Sequence, residues 1–250
     1  MRADAACGAG ADTAYSGATA RTASARVPSS PAGVAHRLAV IAALMVIGLA
    51  AFELRDPLAS MASYTAALMA LNQIAPPLLL LGLRSIPFER TRTSASNDLI
   101  GVLLDPSVST MFFVGLSIAV SLPGVFDPSL ANALYAAPLG LLEFISGLLF
   151  WAQFMLATRS IRRSWLTGSL AWAGGIPMTV VALIWMLSPD VLYTPYLDVI
   201  CRWDISPLVD QKWAGLVMFV AGMPLQLVGV WLLLGVGRLG RPDLQLGDLN

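Results

Sequence analysis

Histidine is almost missing from this chain. The single one, His36, precedes the first long apolar run. Cysteine is nearly as scarce: Cys7 and Cys201 lie far apart and share no metal-ligand spacing, so neither a disulfide framework nor a Cys/His metal cluster is indicated. Charge is the third shortage. Only 12% of the 250 residues are charged, about half of the ~25% usual in a soluble domain, and one large soluble core fits that composition poorly. Fifteen basic and fifteen acidic residues cancel, which leaves no electrostatic footprint for nucleic acid. The alternating strands of a β-barrel are absent. So are a Gly-rich loop ending in Lys-Ser/Thr, a GxSxG elbow and an HExxH pair. With no nucleophile–base pair in view, an enzyme is not expected.

What the chain does have is apolar length. It is 57% hydrophobic, with a mean hydropathy of +0.73. Six apolar runs follow one another: Leu38–Phe52, Leu58–Leu83, Pro106–Leu122, Asn132–Ala157, Trp165–Leu187 and Trp213–Val236. A membrane span needs ~20 residues, so the first and third run must extend into their flanks, tilt or thin the bilayer. The fold class is therefore all-α, a polytopic transmembrane helical bundle with Pro-kinked helices. Six spans are counted, and seven if Leu99–Leu104 or Tyr193–Ile200 also enters the bilayer. Residues 1–36, rich in Ala, Ser, Thr and Gly, read as a disordered tail. The transmembrane domain covers 37–237, and 238–250 form a short cytoplasmic tail.

The loops set an orientation. With the N-terminus inside, twelve of the fifteen basic residues fall on the cytoplasmic side, leaving Arg55, Arg202 and Lys212 outside. The outer side collects Glu53, Asp56, Asp127, Asp190, Asp198, Asp204 and Asp210. The positive-inside rule thus predicts both termini in the cytoplasm and an even number of spans.

Polar residues inside the runs are the candidate site. Glu143 is the one acid well inside a span; such a residue is either a functional contact or a protonated carboxyl bonded to a neighbouring helix. Asn72 and Gln73 serve as interhelical glue or as ligand contacts. Pro76 and Pro77 each remove a backbone donor and free a carbonyl in the preceding turn. The Asn72 and Gln73 amides are placed to help satisfy those carbonyls, and the segment is either a packing kink or a broken helix. Pro177, after Gly174-Gly175-Ile176, and Pro224, after Met223, are expected to kink the fifth and sixth spans. Met61 and Met69 share a face of the second span; thioethers suit Cu(I), but they also serve as ordinary gap-fillers.

Several motifs in order resemble one family, the CtaG-type cytochrome c oxidase assembly factors. They are APPLLLLG at Ala75–Gly82, SLPGVFDPSL at Ser121–Leu130 and SGLLFW at Ser146–Trp151, then GGIPMTVVALIWMLSPDVLYTPY at Gly174–Tyr196 and SPLVDQKWAGLVMFVAGMP at Ser206–Pro224. The resemblance spans about Leu58 to Val236. It implies a multi-pass protein of the bacterial inner (plasma) membrane, in respiratory chain biogenesis, linked to copper delivery. Copper enters by this resemblance only. It also implies a His-x-x-x-His pair near Tyr64 and Leu68, a His at Ser121, and further His within Ala136–Phe144; this chain has none at those places. The expected function is then support of oxidase assembly with a degenerate metal site, with the lipid bilayer, oxidase subunits or a copper chaperone as partners. Tyr193, Tyr196, Asp210 and Gln211 remain as candidate binding residues at the outer surface, with Asp210 alternatively capping the sixth helix. The alternative function is a small-solute or ion transporter or channel built on Glu143 and a broken second span.

Overall fold

The computed structural model describes residues 31–83, 102–157, 164–197 and 204–234. The described residues are helical throughout, with no strand among them. In chain order, α1 is Pro31–Glu53 and α2 is Met61–Leu83, with a π turn over Ala70–Ile74. Next come α3 Pro106–Ala119, α4 Pro123–Ala131, α5 Ala133–Ala157, α6 Ser164–Leu187 and α7 Pro207–Leu233. Among the described residues five helices are long and apolar enough to cross a membrane, and six spans result if α3 and α4 together make one.

Three expectations change. The first run is not short: α1 has 23 residues, about 34 Å of rise, and begins at Pro31, inside the stretch expected to be tail. Residues 1–30 lie outside the described residues. The third run, Pro106–Leu122, holds α3, but a further short helix that the apolar runs did not include follows it. α3 stops at Ala119, and the chain bends by 68° into α4. Leu122 precedes a proline and takes an extended conformation (φ −77°, ψ 137°), as Cδ of the following Pro123 requires. Pro123 then opens α4 at a position where its missing N–H costs nothing. The sixth run starts early: Ser206 caps α7 through Val209 N–H, which draws Asp210 and Gln211 into its first turn. Of the suggested seventh crossing, Tyr193–Leu197 holds a single 3-10 turn, Thr194–Tyr196, too short to span. Residues 99–101 and 198–200 lie outside the described residues.

α6 and α7 make the most intimate contact in the bundle, along small residues spaced by seven: Gly168, Gly175 and Ala182 on α6, and Gly215, Gly222 and Gly229 on α7. The pairing is antiparallel. A Cβ on Gly229 would meet the Gly168 carbonyl at 3.0 Å, and one on Gly215 would meet the Ala182 carbonyl at 2.8 Å. Small residues let membrane helices approach to backbone contact, and a seven-residue period keeps that seam facing its partner. Pro177 and Pro224 sit inside these two continuous helices; neither helix is broken there.

Between the helices lies an aromatic core centred on Phe126 of α4. Its ring is 5.5 Å from Tyr64, 5.5 Å from Trp185 and 4.5 Å from Tyr193. α4 therefore folds back into the bundle as a plug at the end where α2 and α7 begin.

Candidate functional site

The polar candidates fall into two layers. The first closes the end of the bundle where α2 and α7 begin. Asp210 is fully buried there, and its carboxylate turns away from its own helix onto the start of α2. It accepts from Ser60 Oγ at 2.8 Å, Met61 N–H at 2.5 Å and Ala62 N–H at 3.4 Å. The first N–H groups of a helix have no intrahelical acceptor, and a negative charge there also opposes the helix dipole favourably. Asp210 lies in the first turn of α7, as the alternative reading placed it, but Ser206 supplies the side-chain cap there and the Asp210 carboxylate bonds the start of α2.

Gln211, next in sequence, holds the α6–α7 loop. Its Oε1 accepts from Leu192 N–H at 2.8 Å, and its Nε2 donates to the Trp185 and Asp190 carbonyls at 3.4 and 3.3 Å. The same loop is tied at two more points. Tyr193 donates to the Ser121 carbonyl at the α3–α4 bend, and Tyr196 donates to the Pro57 carbonyl ahead of α2, each at 2.8 Å. Burial pushes the Tyr193 phenol above its ordinary range, and a hydrogen bond with the Trp185 side chain offsets part of that rise. Thr194 adds a bond to Asp127 of α4 at 2.9 Å. Four candidates from residues 193–211 thus reach partners near Pro57, Ser60 and Ser121 and make one clamp.

The second layer lies near mid-span. Asn72 and Glu143 sit halfway along α2 and α5, both with 0% exposure. Asn72 Nδ2 donates to Glu143 Oε2 and to Ser146 Oγ at 3.4 Å. Ser146 Oγ in turn donates to the Glu143 carbonyl at 3.0 Å. Glu143 Oε1 and Asn72 Oδ1 are buried without a hydrogen-bond partner. Two bare acceptors side by side in an apolar interior are expensive; a protonated, neutral Glu143 has an O–H to offer and no charge to bury. The geometry thus provides a polar rivet between two spans.

The prolines explain the backbone here. The i+4 and i+5 positions from Asn72 are Pro76 and Pro77, so neither an α nor a π bond can reach the Asn72 carbonyl. The chain widens into the π turn, closed by Ala75 N–H on the Ala70 carbonyl, and continues as helix to Leu83. The second span is therefore locally widened rather than broken. The freed carbonyl faces α5 at Gly147, where an added Cβ would overlap Asn72 backbone. The side-chain amides do not serve it: Asn72 turns to Glu143, and Gln73 Nε2 reaches Met178 Sδ at 3.4 Å.

The places where imidazoles were expected are filled otherwise. Tyr64 is 1% exposed and donates to Ser129 Oγ at 3.0 Å. Leu68 is core, on the same α2 face as Tyr64 and Asn72. Ser121 Oγ donates to the Ser117 carbonyl at 2.8 Å. Among the described residues no group of three or more His, Cys, Asp or Glu could hold a metal ion. The buried thioethers do not make up for this. Met61 and Met69 are eight residues and about 12 Å of helix rise apart, and Met178 Sδ already accepts from Gln73. The donor set for a resident copper ion is not assembled by these residues.

Sequence reasoning passed over Ser60, Ser129, Ser146 and Gly147. Ser146 had a signal, since it lies three residues after Glu143 and so on the same helical face. Ser60 had one too, as the N-cap whose hydroxyl accepts from Ser63 N–H, whereas Gly147 matters only because of what lies across the helix interface.

With this geometry in place, comparison with known proteins adds one finding. The sequence profile of the family described as cytochrome c oxidase caa3 assembly factor (Caa3_CtaG) matches residues 13–236. No curated protein and no solved structure matches the chain.

Proposed function

The chain belongs to the cytochrome c oxidase caa3 assembly factor family, and we propose that it serves there as a non-catalytic scaffold with a degenerate metal site. Its apolar helices are those of a multi-pass membrane protein. In this reading it sits in a bacterial inner membrane with both termini in the cytoplasm, as the arginine distribution favours. It supports copper delivery by engaging an oxidase subunit or a copper-carrying chaperone, not by holding copper itself. The observation that carries the reading is the filling of the site. Tyr64 is locked onto Ser129, Leu68 is buried, and Ser121 is tied into the α3–α4 bend. These three positions hold packing or hydrogen bonds in place of imidazoles, within an intact clamp.

A deletion strain grown under copper limitation tests this. Lower oxidase activity and lower copper content in the oxidase are expected, and unchanged values for both would sink the proposal. Metal analysis of the detergent-purified chain after Cu(I) addition tests the degenerate site separately. Stoichiometric copper would show that other ligands have replaced imidazole.

One observation favours a second reading, ion passage: the unpartnered Glu143 Oε1 and Asn72 Oδ1 at mid-span beside a π turn. Ion uptake into proteoliposomes that Glu143→Ala abolishes, with oxidase assembly intact in cells, would select that reading instead.

A further inference from the structure

The bundle leaves one side open. α1 is held tightly at its N-terminal half, where the backbone near His36 and Val40 closes on Gly82 so that a Cβ there would collide. Towards its other end α1 stands off from α5, and a cleft of about 270 Å³ remains between them. Small residues on both walls, Ala51 on α1 and Ala133 and Ala137 on α5, leave the space. Leu54, which packs on Gly140, and Leu71 and Phe144 also line it. Arg55, exposed at the end of α1, is the one charged residue in the lining. Glu53 and Asp56 flank it in sequence but do not line the cleft.

The shape restricts the occupant. A void this size lined by apolar groups does not hold water, which needs polar partners. It is also smaller than sites for drug-sized molecules, ~300–1,000 Å³, and too narrow for a helix of ~10 Å diameter. A slender apolar chain fits. From Ile47 to its last residue, Glu53, α1 rises about 9 Å along the cleft, and Arg55 lies two residues beyond. Along α5, from Ala133 to Phe144, the cleft runs about 16 Å. One leaflet of hydrocarbon is about 15 Å deep, so the cleft reaches from the membrane surface to the midplane. At the surface end a guanidinium is placed to meet a phosphate oxygen, its preferred planar anion partner.

We propose that this cleft is a binding site for an anionic phospholipid, with one acyl chain between α1 and α5 and the phosphate on Arg55. The lipid completes the wall that α1 leaves open and fixes the position of α1 against the rest of the bundle.

Native mass spectrometry of the full chain tests this, after purification in detergent and addition of phosphatidylglycerol or phosphatidylcholine. One phosphatidylglycerol per chain is expected to survive activation, at least fivefold more than phosphatidylcholine. Arg55→Gln should bring the two lipids to parity. Ala137→Phe, which fills the cleft from α5, should cut retention of both at least tenfold. Ala51→Phe fills it from the α1 wall and should do the same, which guards against misfolding of one variant. Equal retention of the two lipids by the unaltered chain, or full retention by both filled variants, would overturn the proposal. So would a dimer that either filled variant dissociates, because a second copy would then be the cover.

Discussion

Asp210 and Met61 are 149 positions apart, and the Asp210 carboxylate takes the first free N–H of α2 from Met61 at 2.5 Å. The same carboxylate takes Ser60 Oγ and Ala62 N–H. An acid in the first turn of α7 therefore lies at the positive ends of two helices at once. Its removal strands donors on the neighbouring helix as well as altering its own.

Asp210→Ala should accordingly destabilise the protein by more than an ordinary lost cap. A lost cap costs ~1 kcal/mol, and each buried donor left without a partner adds ~1–3 kcal/mol. Asp210→Asn keeps an acceptor and should fall between. Thermal unfolding in detergent would give the ordering, with Ser60→Ala the mildest of the three. Equal melting of Asp210→Ala and Ser60→Ala would show that the carboxylate is not the anchor.

The mid-span rivet should behave asymmetrically. Glu143→Leu leaves the buried Asn72 amide only its long contact to Ser146, and should lower stability by ~1–3 kcal/mol. Asn72→Leu should do likewise. The double replacement removes both polar groups and should recover most of the loss, as replacing a whole buried pair often does. Glu143→Gln should be nearly silent, since an amide also bonds Asn72 without charge. A double-mutant cycle on unfolding free energies measures the coupling. Simple additivity would mean that the two side chains do not act as a pair.

Two glycines in apolar helices should respond oppositely to alanine. A Cβ at Gly147 would overlap the Asn72 backbone at the π turn, and overpacking of this kind costs ~1–3 kcal/mol. At Gly48 nothing lies within 4 Å of the added atom. There alanine should be neutral, or stabilising by up to ~1 kcal/mol through helix propensity. Matched melting curves in one detergent would separate them, and a harmless Gly147→Ala would argue against close contact of α2 and α5.

Alkaline pH should loosen the clamp. Burial holds the Tyr193 phenol above its ordinary range, so above about pH 10 the folded chain keeps a proton that the unfolded chain has lost. Stability then falls as pH rises. Tyr193→Phe should melt lower at neutral pH, by the ~1 kcal/mol of one hydrogen bond to the Ser121 carbonyl. Its melting temperature should then decline less steeply between about pH 9 and 11. Parallel curves for the two proteins would show that Tyr193 does not contribute to the alkaline loss.

Much of the fold was visible along the chain because lipid permits few solutions. A long apolar run must satisfy its own backbone, so it becomes a helix wherever it lies. That argument located α2, α5 and α6 closely. It left out α4, which lies past the end of the third run, beyond the Leu122-Pro123 step where a local steric rule bends the chain. It overlooked the seven-residue spacing of Gly168, Gly175, Gly215, Gly222 and Gly229, which was legible and marks the α6–α7 seam. Asn72 and Glu143 were chosen for being polar in apolar surroundings, Asp210 and Gln211 for the motif that carries the resemblance, and all four are buried.

Their partners were a different matter. Nothing near Asp210 in the chain indicates Ser60, and nothing near Glu143 indicates Asn72, since those contacts exist only once particular helices lie side by side. Composition and local backbone rules are properties of each segment alone, so they settle that this chain is a bundle of membrane helices and where most of them run. Which buried acceptor meets which donor depends on helix adjacency, rotation and depth. Packing between segments sets all three, and it places the α2 face that carries Tyr64, Leu68 and Asn72 in the buried interior of the bundle.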